Sequence, residues 1–199
     1  MIEYKQVDTT FFPQYDQVQQ RFCCSSYYRI EKHNRGLGGF TFVETLVAEP
    51  YIRDFCTGRY ATVERWKRWD LSNWAFFMAF DGDKPIGAAA VASKTEGANL
   101  LYGRNDLAAL WDIRVNDAYK GQGVGQKLFN MAVEWSRNQG LTQMSIECQN
   151  NNIVACKFYH RQGAVLSVIN EYAYYNEPEY RHEVQFIWYL DLVNVNVQG

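Results

Sequence analysis

The chain has 199 residues, 47% of them hydrophobic and 16% aromatic, which suits a single globular domain with a sizeable core. Lys and Arg total 20 against 22 Asp and Glu, for a net charge of −2, and no basic run stands out. The footprint of a nucleic-acid binder is absent, and the expected partner is a small molecule. No apolar stretch reaches membrane-spanning length, so no membrane partner and a cytoplasmic location are expected. The cysteines, Cys23, Cys24, Cys56, Cys148 and Cys156, are odd in number, follow no signal peptide and show no C-x-x-C spacing, which reads as reduced thiols. His33, His160 and His182 are not paired at ligand spacing, which speaks against a metal site.

In chain order, Ile2 to Val7 reads as a short strand and Gln14 to Cys24 as a first helix. Tyr27 to Lys32 and Phe40 to Val47 read as a hairpin around the turn segment from Asn34 to Gly39, which Pro50 to Phe55 closes. Thr62 to Trp69 carries a second helical pattern. Trp74 to Phe80, an Asp81-Gly82 turn and Pro85 to Ser93 form a second hairpin in which glycine supplies a positive φ. Asn99 to Asn105 is a loop leading into a strand that ends at Val115.

That strand, from Leu110 to Val115, runs through a short loop into Lys120-Gly121-Gln122-Gly123-Val124-Gly125-Gln126. The chain leaves as an amphipathic helix with Val124, Leu128, Met131, Ala132 and Trp135 on one face. Alternate glycines remove Cβ atoms where a ligand must touch backbone, and the first amides of a helix lack partners of their own. With the positive end of the helix dipole they suit a phosphate. A dinucleotide fold or a plain tight turn uses such glycines too. There is, however, no Gly-Lys-Ser/Thr ending, and the strand lies past the chain's midpoint instead of opening a run of βαβ units. A phosphate cradle in a mixed α/β domain remains.

Gln139-Gly140 ends the helix, and Met144 to Cys148 is a strand parallel to the one before the loop. Asn150 to Asn152 caps a helix from Ile153 to Arg161, which Gly163 stops. The last strands are Val165 to Tyr175 and His182 to Leu190, the latter with Val184, Phe186, Trp188 and Leu190 on one face.

Two motifs resemble the GNAT superfamily of acetyl-CoA-dependent N-acetyltransferases. One is Val115 followed by Lys120-x-x-Gly123-x-Gly125, and the other is Asn152-x-x-Ala155-x-x-Phe158-Tyr159-x-x-x-Gly163. Within the superfamily the chain is most similar to the streptothricin acetyltransferase group. That likeness rests on Pro50-Tyr51-Ile52-x-Asp54-Phe55, Asp112-Ile113-x-Val115, Glu147-Cys148-Gln149-Asn150-x-Asn152, Ala155-Cys156-Lys157-Phe158-Tyr159 and Phe186-Ile187-Trp188-Tyr189. The chain departs from the group at Trp111, where an acidic residue is usual, at Cys148 for threonine, at Ala164 for an aromatic residue and at Asn170 for aspartate.

The resemblance implies an α/β (α+β) fold with a mixed central sheet, flanking helices and splayed parallel strands. The cofactor it implies is acetyl-CoA, with no metal. Ile113 and Val115, with Arg114 between them, would offer backbone groups to the pantetheine. The diphosphate would sit on Lys120, Gly121, Gln122, Gly123, Val124, Gly125 and Gln126, while Asn152 and Ala155 would meet the pantetheine arm. An amide near Val115 would polarise the thioester carbonyl. Tyr159 is the candidate acid for the leaving thiolate, its other use being core packing.

An acceptor ammonium with a pKa of about 10.4 costs roughly 4–5 kcal/mol to deprotonate at pH 7. A carboxylate can attract the cation and take its proton, and Glu147 and then Asp112 are the candidates, capping or salt-bridging being the plainer use of each. Glu44, Glu171, Glu177 and Glu179 would add negative potential to the acceptor mouth or simply form a solvated face. The expected activity is acetylation of a primary amine on a small cationic molecule of streptothricin type. A protein or peptide N-acetyltransferase would need an open groove in place of the aromatic pocket suggested by Tyr27, Tyr28, Tyr172, Tyr174 and Tyr175. Those tyrosines also suit the core or a homodimer contact, and a non-catalytic acyl-CoA-binding module is the reading from another class.

Overall fold

A computed structural model describes residues 1–57 and 62–193. The described residues divide into two compact units, one of residues 1–21, 54–57, 62–146 and 189–193, the other of residues 22–53 and 147–188. Among the described residues, seven strands hydrogen-bond in the order β1 (Ile2–Val7), β4 (Trp74–Asp81), β5 (Lys84–Ser93), β6 (Leu107–Val115), β7 (Gln143–Gln149), β9 (Gln185–Asp191) and β8 (Val165–Asn170), and β2 (Arg21–Lys32) and β3 (Phe40–Asp54) form a separate pair.

In the first unit, β1 (Ile2–Val7), β4 (Trp74–Asp81), β5 (Lys84–Ser93) and β6 (Leu107–Val115) are antiparallel neighbours. The Asp81↔Lys84 turn places Gly82 at φ +58°, as expected. β4 and β5 are buried almost throughout, which is why both read as continuous apolar runs. β6 pairs in parallel with β7 (Gln143–Gln149), and the helix α2 (Val124–Asn138) makes the crossover. α2 buries Val124, Leu128, Phe129, Ala132, Val133 and Ser136, so the buried stripe is rotated slightly from the expected one and Met131 and Trp135 sit half-buried at its margin.

The small side chains of β5 seat this helix. At Gly87 a Cβ would come within 2.8 Å of Val124 Cγ1 and 2.9 Å of Leu128 Cδ1, so a glycine there lets the first turns of α2 lie on the sheet. Trp74 and Phe76 alternate with Ala79, which shares the Gly87 side, and on the other face of the sheet they join a ring cluster with Phe12, Tyr15, Trp66, Trp69 and Trp111, with centroids 4.9–6.2 Å apart.

The expected helix from Gln14 to Cys24 is not formed. A single α-turn, α1 (Phe12–Tyr15), follows a short 3-10 turn, and at Arg21 the chain enters β2. Long-range partners override the local pattern. Asp16 accepts from Thr62 Oγ1 at 2.5 Å and Val63 N at 2.9 Å, and Gln20 Nε2 donates to Asp112 at 2.6 Å. The second helical pattern is a 3-10 helix over Val63–Arg68, capped by Thr62.

In the second unit, β2 (Arg21–Lys32, which begins in the first) and β3 (Phe40–Asp54) form the expected hairpin, with both strands longer than read. Asn34 and Arg35 take left-handed conformations at its turn. Pro50 lies inside β3 instead of ending it, which a two-stranded pair with open edges tolerates. α3 (Ile153–Arg161) has Asn152 as its cap. β8 (Val165–Asn170) stops short of Tyr175 because Asn170 Oδ1 accepts from Tyr172 N at 3.0 Å, turning the chain. β9 (Gln185–Asp191) runs from one unit into the other, as does β7.

Candidate active site

Two stretches, one in each unit, carry the residues singled out by their motifs. In the first unit, β6 holds a bulge. Ala90 faces Asp112 and Val91 faces Leu110, so Trp111 is the extra residue. The parallel ladder with β7 covers only Leu107 to Leu110, whereas pairing with β5 continues to Val115. The second half of β6, with Ile113 and Val115, thus lies beyond the β7 ladder.

After Val115, Asn116 fixes the turn. Its N–H donates to Ile86 O, its Nδ2 to Pro85 O, and its Oδ1 accepts from Gln19 N. Gly121 and Gly123 follow at φ +75° and +84°, the left-handed region in which a side chain is strained. A Cβ on either would meet nothing within 4 Å, so their conformation, not crowding from the protein, calls for glycine there. Gly123 caps α2 without any side-chain bond, and Lys127 N to Gly123 O, at 3.0 Å, is the first intrahelical hydrogen bond at that cap. The amides of Val124 and Gly125 precede that ladder at the positive end of the helix. Lys120 Nζ donates to Asp117 Oδ1 at 2.7 Å and to Arg21 O at 2.8 Å, and Arg21 also holds Asp117. The bond from Lys120 and then that from Arg21 keep the Asp117 carboxyl below its ordinary range, so two cations bracket one anion beside the loop. Gln122 Nε2 donates to Ala118 O and Gln126 Nε2 to Asn130 Oδ1, which stiffens the two ends of the turn.

Asp112 faces the core. Its Oδ1 accepts from Gln20 Nε2, and its Oδ2 accepts from Tyr15 Oη at 2.8 Å and Arg114 Nε at 2.7 Å. The guanidinium of Arg114 also donates to Val18 O and Gln20 Oε1 and lies 5.0 Å from the Tyr15 ring centre. Burial, and next the Asp112 charge, push the Tyr15 hydroxyl well above its usual range and keep it a donor. Burial would lower the Arg114 guanidinium, but the neighbouring Asp112 and Tyr15 more than offset it and hold it above its ordinary value. The Arg114 side chain is therefore committed to the core, and its backbone pairs with Ala88 of β5.

In the second unit, Glu147 is half-buried near the C-terminal end of β7. Tyr174 Oη donates to Glu147 Oε1 at 2.8 Å and accepts from Gln149 Nε2 at 2.9 Å. Burial and then the Glu147 charge raise the Tyr174 hydroxyl far above its usual value. The three following asparagines have separate tasks. Asn150 bonds the backbones of Tyr28 and Val184. Asn151 Nδ2 donates to Tyr51 Oη and to Glu183 Oε1, which the buried Arg53 also holds at 2.8 Å. Asn152 Oδ1 accepts from Ala155 N at 3.1 Å and caps α3. Tyr159, on the second turn of that helix, is buried, with its ring 5.5 Å from Phe158. Cys148 and Cys156 are free buried thiols with sulfurs 3.6 Å apart, and Trp188 Nε1 donates to Cys148.

The first stretch thus brings Asp112 to Gln126 together, and the second brings Glu147, Asn152, Ala155 and Tyr159 onto β7 and α3. Of the acids expected at an acceptor mouth, Glu44 pairs with Lys157 at 2.8 Å and Glu171 with Lys32. The sequence does not foresee the pairing of Tyr174 with Glu147, because 27 residues separate the partners and Tyr174 stands among tyrosines that suit an aromatic pocket, the core or a homodimer contact alike. Among the described residues, no group of three or more His, Cys, Asp or Glu is placed to hold a metal ion, and no helix is long and apolar enough to cross a membrane.

A streptothricin acetyltransferase of Escherichia coli is 33% identical over 85 residues, 43% of this chain and 49% of that protein. The chain spans about half the length of the curated relatives it matches. A nourseothricin acetyltransferase structure superposes with a TM-score of 0.76 at 21% identity, over 96% of this chain and 99% of that one. A protein of Bacillus anthracis str. Ames, described as a streptothricin acetyltransferase and solved with acetyl coenzyme A, gives 0.74 at 20% identity, over 96% and 97%. At these identities the structural likeness is one of fold, and it is the mixed sheet with flanking helices anticipated from the motifs. The model of the acetyltransferase (GNAT) family matches residues 40–164, more than half of the sequence and both of the stretches described above, and the chain belongs to that family.

Proposed function

We propose that the chain transfers the acetyl group of acetyl-CoA to a primary amine of a small cationic molecule, with streptothricin-type amines as the acceptor class. The observation that carries this reading is the left-handed glycine pair, with open space where each Cβ would stand, at the head of α2. A diphosphate fits there, against the amides of Gly121 to Gly125 and the positive end of the helix. Lys120 and Arg21 add charge beside it. The β6 groups past the β7 ladder, from Ile113 to Val115, suit the amides of a pantetheine. The relatives named for streptothricin and nourseothricin, and the acetyl coenzyme A in one of their structures, support the same ligand pair.

When bound, acetyl-CoA supplies a thioester whose carbonyl carbon the amine attacks directly. The chain's residues handle the protons and the charge. Glu147 draws the ammonium and takes its proton. Glu147 stands ahead of Asp112 because both oxygens of Asp112 are engaged in the core. The amide of Val115 holds negative charge developing on the carbonyl oxygen. Tyr159 gives its proton to the sulfur as the carbon–sulfur bond breaks.

Two substitutions read these roles separately. Gly123→Ala forces a side chain into the left-handed region at a cost of about 1–2 kcal/mol, and the loop relieves it by turning its amides away. Calorimetry is expected to show acetyl-CoA bound about tenfold more weakly, with a loss of only a few degrees in Tm. Tyr159→Phe is expected to lower kcat about tenfold while KM for acetyl-CoA stays unchanged, because a thiolate leaves well even without an acid.

The acceptor class is tested by initial rates with acetyl-CoA and a panel of streptothricin, polyamines, lysine derivatives and peptides, with the product identified by mass. Rapid acetylation of streptothricin or another small polyamine supports the reading. Turnover of peptides alone makes the chain a protein or peptide N-acetyltransferase instead.

A further inference from the structure

Glu147 and Gln149 are two apart on β7 and so project on the same side of the strand. Between them stands the hydroxyl of Tyr174, from the connection between β8 and β9. A phenol has one proton to give. Gln149 Nε2 donates to Tyr174 Oη, and the Tyr174 proton is directed to Glu147 Oε1. Among the described residues no hydrogen bond reaches Glu147 Oε2. One carboxylate oxygen is therefore held and the other is left to receive a proton. The connection that carries Tyr174 is itself tied down. Glu177 N donates to Tyr174 O at 2.9 Å, Tyr175 N to Tyr172 O at 3.2 Å, and Arg181 Nε to Tyr175 O at 2.8 Å. Lys32 pairs with Glu171 at its start.

We propose that Tyr174 is a positioning residue for the acetyl transfer: its hydroxyl, oriented by Gln149, locks Glu147 Oε1 and presents Oε2 to the acceptor ammonium. This rests on the reading of Glu147 as the proton acceptor. Tyr174 touches neither the amine nor the thioester; it acts through Glu147, and the connection between β8 and β9 thereby sets how the base is aimed. Gln149 does more than fill space, because without its amide the Tyr174 hydroxyl is free to rotate and to offer its lone pair to the carboxylate.

The test is a double-mutant cycle on kcat and KM with acetyl-CoA and whichever panel amine is turned over. Tyr174→Phe is expected to lower kcat about tenfold, the worth of one hydrogen bond to a charged group, with KM for acetyl-CoA within about twofold. Combined with Glu147→Gln it is expected to cause no further loss, since the group it positions no longer takes a proton. A purely structural role would lower Tm and multiply the two losses, and multiplied losses overturn the inference while leaving Glu147 as the base. Gln149→Met keeps the tyrosine in place and reads the same coupling where Tyr174→Phe fails to fold; a kcat about threefold lower that vanishes in the Glu147→Gln background is the expected result. Full turnover by Glu147→Gln, or no turnover of any amine by the wild type, overturns the reading of Glu147 and the inference with it.

Discussion

Glu147→Gln is expected to reduce kcat/KM for the acceptor amine by about 10²–10³-fold, within the usual range for a displaced general base. Acetyl-CoA should bind as before, because the diphosphate cradle proposed above belongs to β6 and α2. Glutamine keeps the shape of the side chain and can still accept the bond from Tyr174. It loses the charge that draws an ammonium and the basicity that removes its proton, and deprotonating that ammonium costs roughly 4–5 kcal/mol at pH 7. The loss should therefore shrink as the pH approaches the amine's own pKa, where the acceptor arrives already neutral. Equal kcat/KM for the variant and the wild type, followed from pH 7 to pH 10 with one amine, would remove Glu147 from the chemistry.

Asp112→Ala is expected to act on the fold. It strips the carboxylate from a buried network and leaves the Arg114 guanidinium uncompensated among Tyr15, Gln20 and Val18 O. Removing one partner of a buried ion pair typically costs about 3–5 kcal/mol, a large fraction of the stability of a domain. Denaturant unfolding should show a midpoint reduced accordingly, with activity lost in step with the folded fraction. The restoring change is informative. Asp112→Asn keeps acceptor and shape, and is expected to retain more stability than alanine and near-native kcat in the folded fraction. A folded, stable Asp112→Asn protein with kcat reduced a hundredfold would instead make Asp112 the base.

The contrast between these two acids marks what sequence alone could show. The glycine turn before α2 was legible because its conformation is local. Positive φ at Gly121 and Gly123 calls for glycine, the cap at Asn152 bonds three residues on, and the Asp81-Gly82 turn joins adjacent strands. The parallel pairing of β6 and β7 followed from the crossover helix between them. The tasks of the acids were not legible, because their partners are distant in the chain. Asp112 meets Tyr15 and Gln20 across 97 and 92 residues, and nothing in the spacing of these three predicts a buried network. The same long-range bonds overturned the expected helix from Gln14 to Cys24, since Gln20 leaves the helical path to reach Asp112. The bulge at Trp111 was equally silent, as it depends on the register of β5. Trp111 instead joins the ring cluster with Trp69 and Trp74, which gives an aromatic residue at that position a packing role.

The most direct test of the account is release of free CoA thiol from acetyl-CoA in the presence of streptothricin, with the modified amine weighed by mass spectrometry and both substrate concentrations varied. One thiol per acetylated amine, with initial-rate lines that intersect, is the result predicted for direct transfer with both substrates bound. Parallel lines would mean an acetylated enzyme and contradict direct attack. Tight binding of acetyl-CoA with no thiol released by any amine of the panel would contradict catalysis and leave a domain that binds the acyl carrier without using it.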